Sequence, residues 1–314
     1  MARTAFEPGS EEVETYFRWI NERHRIFLKR DAGEPKPWTD DEPMLAFKFT
    51  NAFRELDRGT IALRRMIETF WNIDLGGRGA GYPVPSYQFG PEGAALIAWN
   101  IIWYRLFNVD THAVDPGFCV DPSLLADRLR RKKIYGEQIF TAAHMTVGKA
   151  GISKLEFMLP TCEQIFEDRE AIVAVCRDEP NLMKVATYLL RYMGIGKFIA
   201  YEIVTDFRWY DSLLGDANDI NFWVNIGPGC MRGLRRLGLA ENMRSIAMLW
   251  ELAPDYLEGH VITHHSKFCG AHGMDVKWPP FELREVEHSL CEFDKWCRIT
   301  RGEGRSRQRF NGRS

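Results

Sequence analysis

The sequence predicts a mainly α-helical fold, on three observations. Apolar residues recur at three- and four-residue spacing over long stretches, strictly alternating runs are almost absent, and helix-start chemistry precedes several of the periodic segments. The 314 residues are 45% hydrophobic and 27% charged, with 10 Trp and 20 Phe. That is the composition of a globular chain with a sizeable core, not of a disordered one. The expected organisation is a flexible start over 1–10, a helical body over 11–300 with room for two lobes about a loop near 75–93, and a basic tail over 301–314.

Taken in order, "EEVETYFRWINERHRIFLKR" sets Val13, Phe17, Ile20, Phe27 and Leu28 near one stripe and meets turn chemistry at Asp31, Gly33, Pro35 and Pro37, so a first helix should end near Arg30. A second should start at Asp41 or Glu42, with Pro43 in its first turn, and continue through "MLAFKFTNAFRELDRGTIALRRMIETFW". "LGGRGAGYPVPSYQFGPEG" is the clear Gly/Pro-rich loop. "AALIAWNIIWYRLF" is too short to span a bilayer, carries Asn100 and Arg105, and reads as a buried helix. Asp121-Pro122 predicts one helix start, and Thr161 with Gln164, at capping-box spacing, predicts another near Cys162.

A formal net charge of −2 gives no global pull toward nucleic acid or anionic membrane, but the charge is uneven. From Lys295 to Ser314 seven basic residues stand against Glu303 alone, a local balance of +6 that suits either a solvated tail or a phosphate-contacting arm. Seven scattered cysteines and no apparent export signal fit a reducing cytoplasm. His260, His264, His265, Cys269 and His272 match no paired metal-ligand spacing, so no protein-bound metal is expected.

In "RYMGIGKFIAYEIVTDF" helical periodicity flanks Gly194 and Gly196, which implies helix, tight turn, helix, with small Ala200 where the helices approach. The exposed N–H groups opening the second helix suit a phosphate. This pattern resembles the helix-hairpin-helix of DNA-glycosylase-like proteins. Together with "INERHRIFLKR…PKPWTDDEP…FTNAFRELDR", "WVNIGPGCMRGLRRL" and "VEHSLCEFDKWCRITRGEGR", it looks like the helical domain associated with 5-hydroxymethyluracil DNA kinases. It is also similar to the related α-glutamyl/putrescinyl-thymine pyrophosphorylase group, whose members include amino acid:DNA transferases that hypermodify thymine in phage DNA. The resemblance runs in order over about residues 11–310.

It implies one of three chemistries. A kinase would need a phosphate-cradling GxxxxGK[ST], and neither "TVGKAGIS" nor "GGRGAG" supplies it. A base-excising glycosylase would need a carboxylate after the hairpin. Asp219 has suitable spacing, but the more motif-like "VNIGPG" offers Asn225, an amide without the charge. A transferase would place an amine or amino acid on pyrophosphorylated 5-hydroxymethyluracil in double-stranded DNA, with pyrophosphate leaving. It needs a flipped base, a backbone grip, cations for the leaving group and a general base.

On the transferase reading Gly194, Gly196, Lys197, Arg232, Arg298, Arg301 and Arg305 contact DNA, with Arg235 and Arg236 beside them. Asn51, Arg54 and Asp57, spaced by three, would share one helical face, with Asn51 reading the base, Arg54 clamping pyrophosphate and Asp57 orienting Arg54. Asp206, Glu292, Asp294 and Lys295 are the further catalytic candidates, Glu292 as general base and Lys295 at the leaving group. Asn225 and His288 are substrate contacts, and Trp38 and Tyr82 are candidate stacking partners. No cofactor is expected beyond Mg²⁺ brought with pyrophosphate. A hydroxymethyluracil DNA kinase is the expected partner, with a phage-encoded protein working on DNA in a bacterial cytoplasm. A non-catalytic DNA-binding partner of that kinase is the other reading.

Overall fold

The computed structural model describes residues 10–71, 90–141, 150–262, 281–303 and 309–310. Among them the structure is all helical, with a single isolated bridge between Phe47 and Arg309. No helix among them is long and apolar enough to cross a membrane. The chain divides into two compact units, and the division falls at 57/58 and 219/220. The loop near 75–93, and with it Tyr82, lies largely outside the described residues.

In the first unit α1 (Glu11–Asp31) starts on Ser10, whose hydroxyl accepts from Val13 N, with three acidic residues in its first turn and Lys29 and Arg30 in its last. Its buried face carries Val13, Tyr16, Phe17, Ile20 and Phe27. Helix α2 (Glu42–Ala46) opens as expected on Asp41, which accepts from Met44 N at 2.8 Å. It stops at Ala46, so the long second helix is not formed. From Phe47 the chain runs extended to a 3-10 turn at Arg54–Leu56, and its backbone groups find side-chain partners instead of helical ones. Arg23 takes the carbonyls of Phe49 and Thr50 at 3.1 and 2.9 Å, and Asp57 accepts from Asn51 N at 2.9 Å.

Three further helices complete the first unit's frame: α10 (Pro228–Arg236), α11 (Met243–Tyr256) and α13 (Leu283–Thr300), the last opened by a reciprocal Glu282/Glu285 capping box. A short α12 (Gly259–Ile262) follows α11. Helices α10 and α13 cross closely because Gly229 and Gly233 have no side chain to hold them apart. A Cβ at Gly233 would fall 2.8 Å from both Leu290 C and Leu290 Cβ. Tyr16 donates to Val286 O at 3.1 Å and packs edge-on against Phe293, locking α1 to α13.

The second unit holds α3 (Arg58–Trp71), α4 (Gly90–Phe107), α5 (Pro122–Ile134), α6 (Lys154–Glu167), α7 (Arg169–Asp178), α8 (Leu182–Leu189) and α9 (Lys197–Phe207). Helix α4 is the buried helix its sequence predicts, and its core is apolar on every side. Helix α5 starts at Asp121-Pro122 as expected. Helix α6 does not start near Cys162. Ser153 caps it at Lys154, and Thr161 lies buried inside it. Between α8 and α9 the chain turns through Gly194 at φ +84°, a conformation side chains resist, and Gly196 precedes the first turn of α9. Ala200 is fully buried.

Candidate functional site

In the first unit, the segment Thr50 to Asp57 lies against one stripe of α13. Asn51, Arg54 and Asp57 do meet, though not along a helix face as their spacing suggests. Asp57 Oδ2 stands 3.3 Å from Arg54 Nη1, an ion pair made across the 3-10 turn. Burial raises the Asp57 carboxyl above its usual value, against the pull of Arg54 and the Asn51 amide. Asn51 is buried and spends its side chain internally, donating to Leu56 O at 2.7 Å and Asp57 Oδ1 at 3.2 Å and accepting from Arg23 Nη2 at 2.8 Å. It organises the loop and has no amide edge left to read a base, which corrects the expected role.

Arg284, Glu287, His288, Cys291, Glu292 and Lys295 fall three and four apart on α13 and so share a stripe. His288 Nε2 sits 2.6 Å from Thr50 Oγ1 and 3.2 Å from Asn51 O. Burial, with Arg54 and Arg284 close by, pushes its pKa well below the ordinary imidazole value, so it is neutral. Glu292 accepts from Thr50 N at 3.1 Å and lies 3.4 Å from Lys295 Nζ. Lys295 donates to Lys48 O and stands 4.7 Å over the Phe49 ring. Both residues therefore clip α13 to the 48–50 segment, and neither is presented as the base or leaving-group contact expected of it.

Asp294 is fully buried beneath three guanidiniums, with Arg232 Nε at 2.8 Å, Arg236 Nε at 3.2 Å and Arg298 Nε at 3.1 Å. Burial works against the charge, but the hydrogen bonds from Arg232 and Arg236 prevail and hold the carboxyl below its usual pKa. This is a structural knot, which removes Asp294 from the catalytic candidates. It also gives Arg232 and Arg298 a partner inside the protein in place of their expected commitment to DNA. Arg235 pairs with Glu241. Arg301 is exposed at the end of α13, Asn225 is half-buried just before α10, and Arg305 lies outside the described residues.

Glu287 was not anticipated. It is half-buried, and among the described residues no hydrogen bond or ion pair engages its carboxyl. Burial pushes its pKa up to about 8, opposed by Arg54 and Arg284. Arg284 itself is held by Glu55 and, at 3.1 Å, by Glu285. The signal was present in "LREVEHSLCE": Glu287 is one turn from both Arg284 and Cys291, on the face that carries His288.

The first unit also contains a pocket of about 290 Å³ walled by Arg23, Lys36, Trp38, Phe47, Phe49 and Phe310. Trp38, the expected stacking residue, thus lines a cavity. A broader cleft of about 520 Å³ lies among Thr15, Trp19, Glu22, Arg25, Glu258 and Trp296.

In the second unit Asp206 is buried and gripped by Arg105, through Nε and through Nη2 at 2.8 Å. A carboxylate so paired is a structural ion, not the catalytic group expected of it. Asp219 caps α8, accepting from Leu182 N at 2.6 Å and Met183 N at 3.0 Å, which removes the carboxylate that a glycosylase would present. At the turn, Gly196 and Lys197 are exposed and Gly194 is half-buried. No group of three or more potential metal ligands occurs among the described residues. His264, His265, Cys269 and His272 lie outside them.

A family model described as "5-hmdU DNA kinase, helical domain" matches residues 10–70 and 96–306. A 5-hmdU DNA kinase of Bacillus phage SP10 is 27% identical over an alignment of 248 positions that covers 73% of this chain and 36% of the relative. The chain thus spans about a third of the length of the curated relative it matches. No solved structure matches it. Matched over most of its length, including α1, the 50–57 loop, α10 and α13, the chain belongs to the family of the 5-hmdU DNA kinase helical domain.

Proposed function

We propose that the chain is a transferase of thymine hypermodification, which places an amine or amino acid on pyrophosphorylated 5-hydroxymethyluracil in double-stranded DNA and releases pyrophosphate. The observation that carries the reading is Glu287, a carboxyl on α13 with no hydrogen bond or ion pair among the described residues, within electrostatic reach of Arg54 and Arg284 and beside neutral His288. An ammonium nucleophile must lose a proton before it can attack, and a carboxyl raised to about 8 is a base matched to that task. Glu287 takes the proton, the amine nitrogen bonds to the exocyclic methylene, and the C–O bond to pyrophosphate breaks with its electron pair leaving on oxygen. Arg54, oriented by Asp57, offers a guanidinium to the departing charge. Any Mg²⁺ enters as part of the substrate, bound to pyrophosphate. The start of α9 at Gly196 and Lys197, and exposed Arg301, are the proposed backbone contacts, and the reaction runs on phage DNA in a bacterial cytoplasm.

Nucleosides from DNA containing 5-pyrophosphoryloxymethyluracil, incubated with the protein and a mixture of amino acids and polyamines, test this by mass spectrometry. A nucleoside heavier by one amine's residue is expected, and Glu287→Gln should slow its formation by about 10²–10⁴-fold. Unchanged DNA with every amine, or full activity in the variant, sinks the proposal. A second reading, a non-catalytic DNA-binding partner of a kinase, draws on the match to a 5-hmdU DNA kinase helical domain. It predicts binding to DNA and to the kinase with no turnover.

A further inference from the structure

We infer that the pocket beside Trp38 binds a single pyrimidine nucleotide, its ring against the aromatic wall and its phosphate on Arg23. This deepens the proposed function by naming where the base would lodge, and it rests on that reading only for the identity of the base. Four of the lining residues, Trp38, Phe47, Phe49 and Phe310, are aromatic, a wall suited to a planar ring. Arg23, Arg30 and Lys36 also line the pocket, and none of the described lining residues is a carboxylate. Such a cavity repels the ammonium of an amine donor and attracts an anion.

Arg23 carries the argument further. It is 8% exposed and fixed in the wall by three hydrogen bonds: Nε to Thr50 O, and Nη2 to both Phe49 O and Asn51 Oδ1. Its Nη1 is buried without a hydrogen-bond partner. An unused donor on a buried cation is costly unless something completes it, and a phosphate oxygen does so with a charge-assisted bond. Burial lowers its pKa only to about 10, so it stays charged at neutral pH. The volume, about 290 Å³, is at the lower end of the roughly 300–1,000 Å³ usual for ligand sites and suits one small ring. Phe310 N donates to Ala46 O at 3.0 Å, which brings the chain's last described residues into the pocket wall.

Arg23 and Phe49 also join the pocket to the catalytic loop. The segment that Arg23 holds, Phe49 to Asn51, is the one that His288 and Glu292 contact from α13. A nucleotide that completes Arg23 therefore engages the side chain that holds the stretch of backbone on which the proposed chemistry is positioned.

The test is isothermal titration calorimetry of the full chain with 5-hydroxymethyl-dUMP, with the unphosphorylated nucleoside, with inorganic phosphate, and with duplexes carrying one hydroxymethyluracil or none. The variants are Trp38→Ala and Lys36→Ala, whose side chains are not in the core and whose folding is checked by thermal melts. One-to-one nucleotide binding is expected, with nucleoside and phosphate at least about 10-fold weaker and Trp38→Ala weakening it about 5- to 100-fold. A preference for the modified duplex over the free nucleotide identifies an extruded DNA nucleotide as the source, and the reverse preference identifies a free one. No saturable binding, or affinity unchanged in both variants, overturns the inference. Wild-type transfer by Trp38→Ala with unchanged affinity would remove the pocket and leave the transferase standing. Nucleotide binding in a chain that transfers nothing to any amine would do the opposite.

Discussion

Gly233→Ala tests the contact on which the α13 stripe depends. The added Cβ would lie 2.8 Å from Leu290 C and Leu290 Cβ, and closer still to Leu290 O, whereas ordinary contact begins at 3.4 Å. Helices α10 and α13 must therefore separate by roughly 0.6 Å or more, the shortfall from ordinary van der Waals contact. Overpacking costs about 1–3 kcal/mol, and the upper value applies because the blocking atoms include backbone that cannot rotate away. Alanine returns up to about 1 kcal/mol of helix propensity, leaving a net loss of about 2 kcal/mol. For a unit of roughly 150 residues that lowers the melting temperature by about 4–8 °C. Circular-dichroism melts of the wild type, Gly233→Ala and Gly59→Ala provide the measurement. Gly59 has only ordinary contacts at 3.7 and 3.9 Å, so its variant should melt at or slightly above the wild type. A Gly233→Ala chain that melts no lower than the wild type would refute the close crossing, and with it the account of how Arg232 and Arg236 reach Asp294.

Three further outcomes follow from the buried charges. Arg284→Ala leaves Glu55 and Glu285 without their guanidinium and should cost about 3–5 kcal/mol in urea unfolding; a loss under about 1 kcal/mol would show that the cluster is solvated. Asp206→Ala should destabilise by a similar amount, while Arg105→Met with Asp206→Leu should recover most of it, and equal losses in both would contradict the structural role given to the pair. Glu287 has a folded pKa of about 8 against an ordinary 4.5, so between those values the folded chain keeps a proton that the unfolded chain has released. Its contribution to stability is full below about pH 4.5 and is lost as pH rises toward about 8, so the urea midpoint should fall more steeply from pH 5 to 8 in the wild type than in Glu287→Gln, and parallel profiles would refute the shift.

The parts of the fold that could be read in the sequence are those whose cause is local. Asp41 and Asp121-Pro122 mark helix starts through bonds to residues two or three positions on. Gly194 marks its turn through a backbone angle. Where the cause is distant, the pattern misleads. Residues 47–57 keep enough apolar periodicity to suggest a helix, yet Arg23 and Glu292, the latter 242 residues away from Thr50, take the backbone groups that a helix would need. Thr161 and Gln164 have capping-box spacing, but Ser153 has already opened that helix. Glu287 was missed for the same reason, since its raised pKa comes from burial and is tuned by Arg54, far from it in sequence.

The same distinction explains which site residues changed role. The motif around α13 is rich in carboxylates, and residue type alone makes Glu292 and Asp294 equal candidates for a base. Packing separates them. Asp294 under three guanidiniums is held ionised, so it can neither move nor accept a proton near neutral pH without breaking the α10–α13 contact. Glu292 is occupied by Thr50 N and Lys295, holding in place the loop that presents Arg54. Glu287, between Arg284 and Cys291 on the stripe, has no such task, and burial rather than pairing sets its proton affinity. A carboxyl that binds its proton near pH 8 and makes no hydrogen bond or ion pair among the described residues can exchange it without breaking a contact that holds the fold. Catalysis asks for that property, and structural carboxylates must lack it.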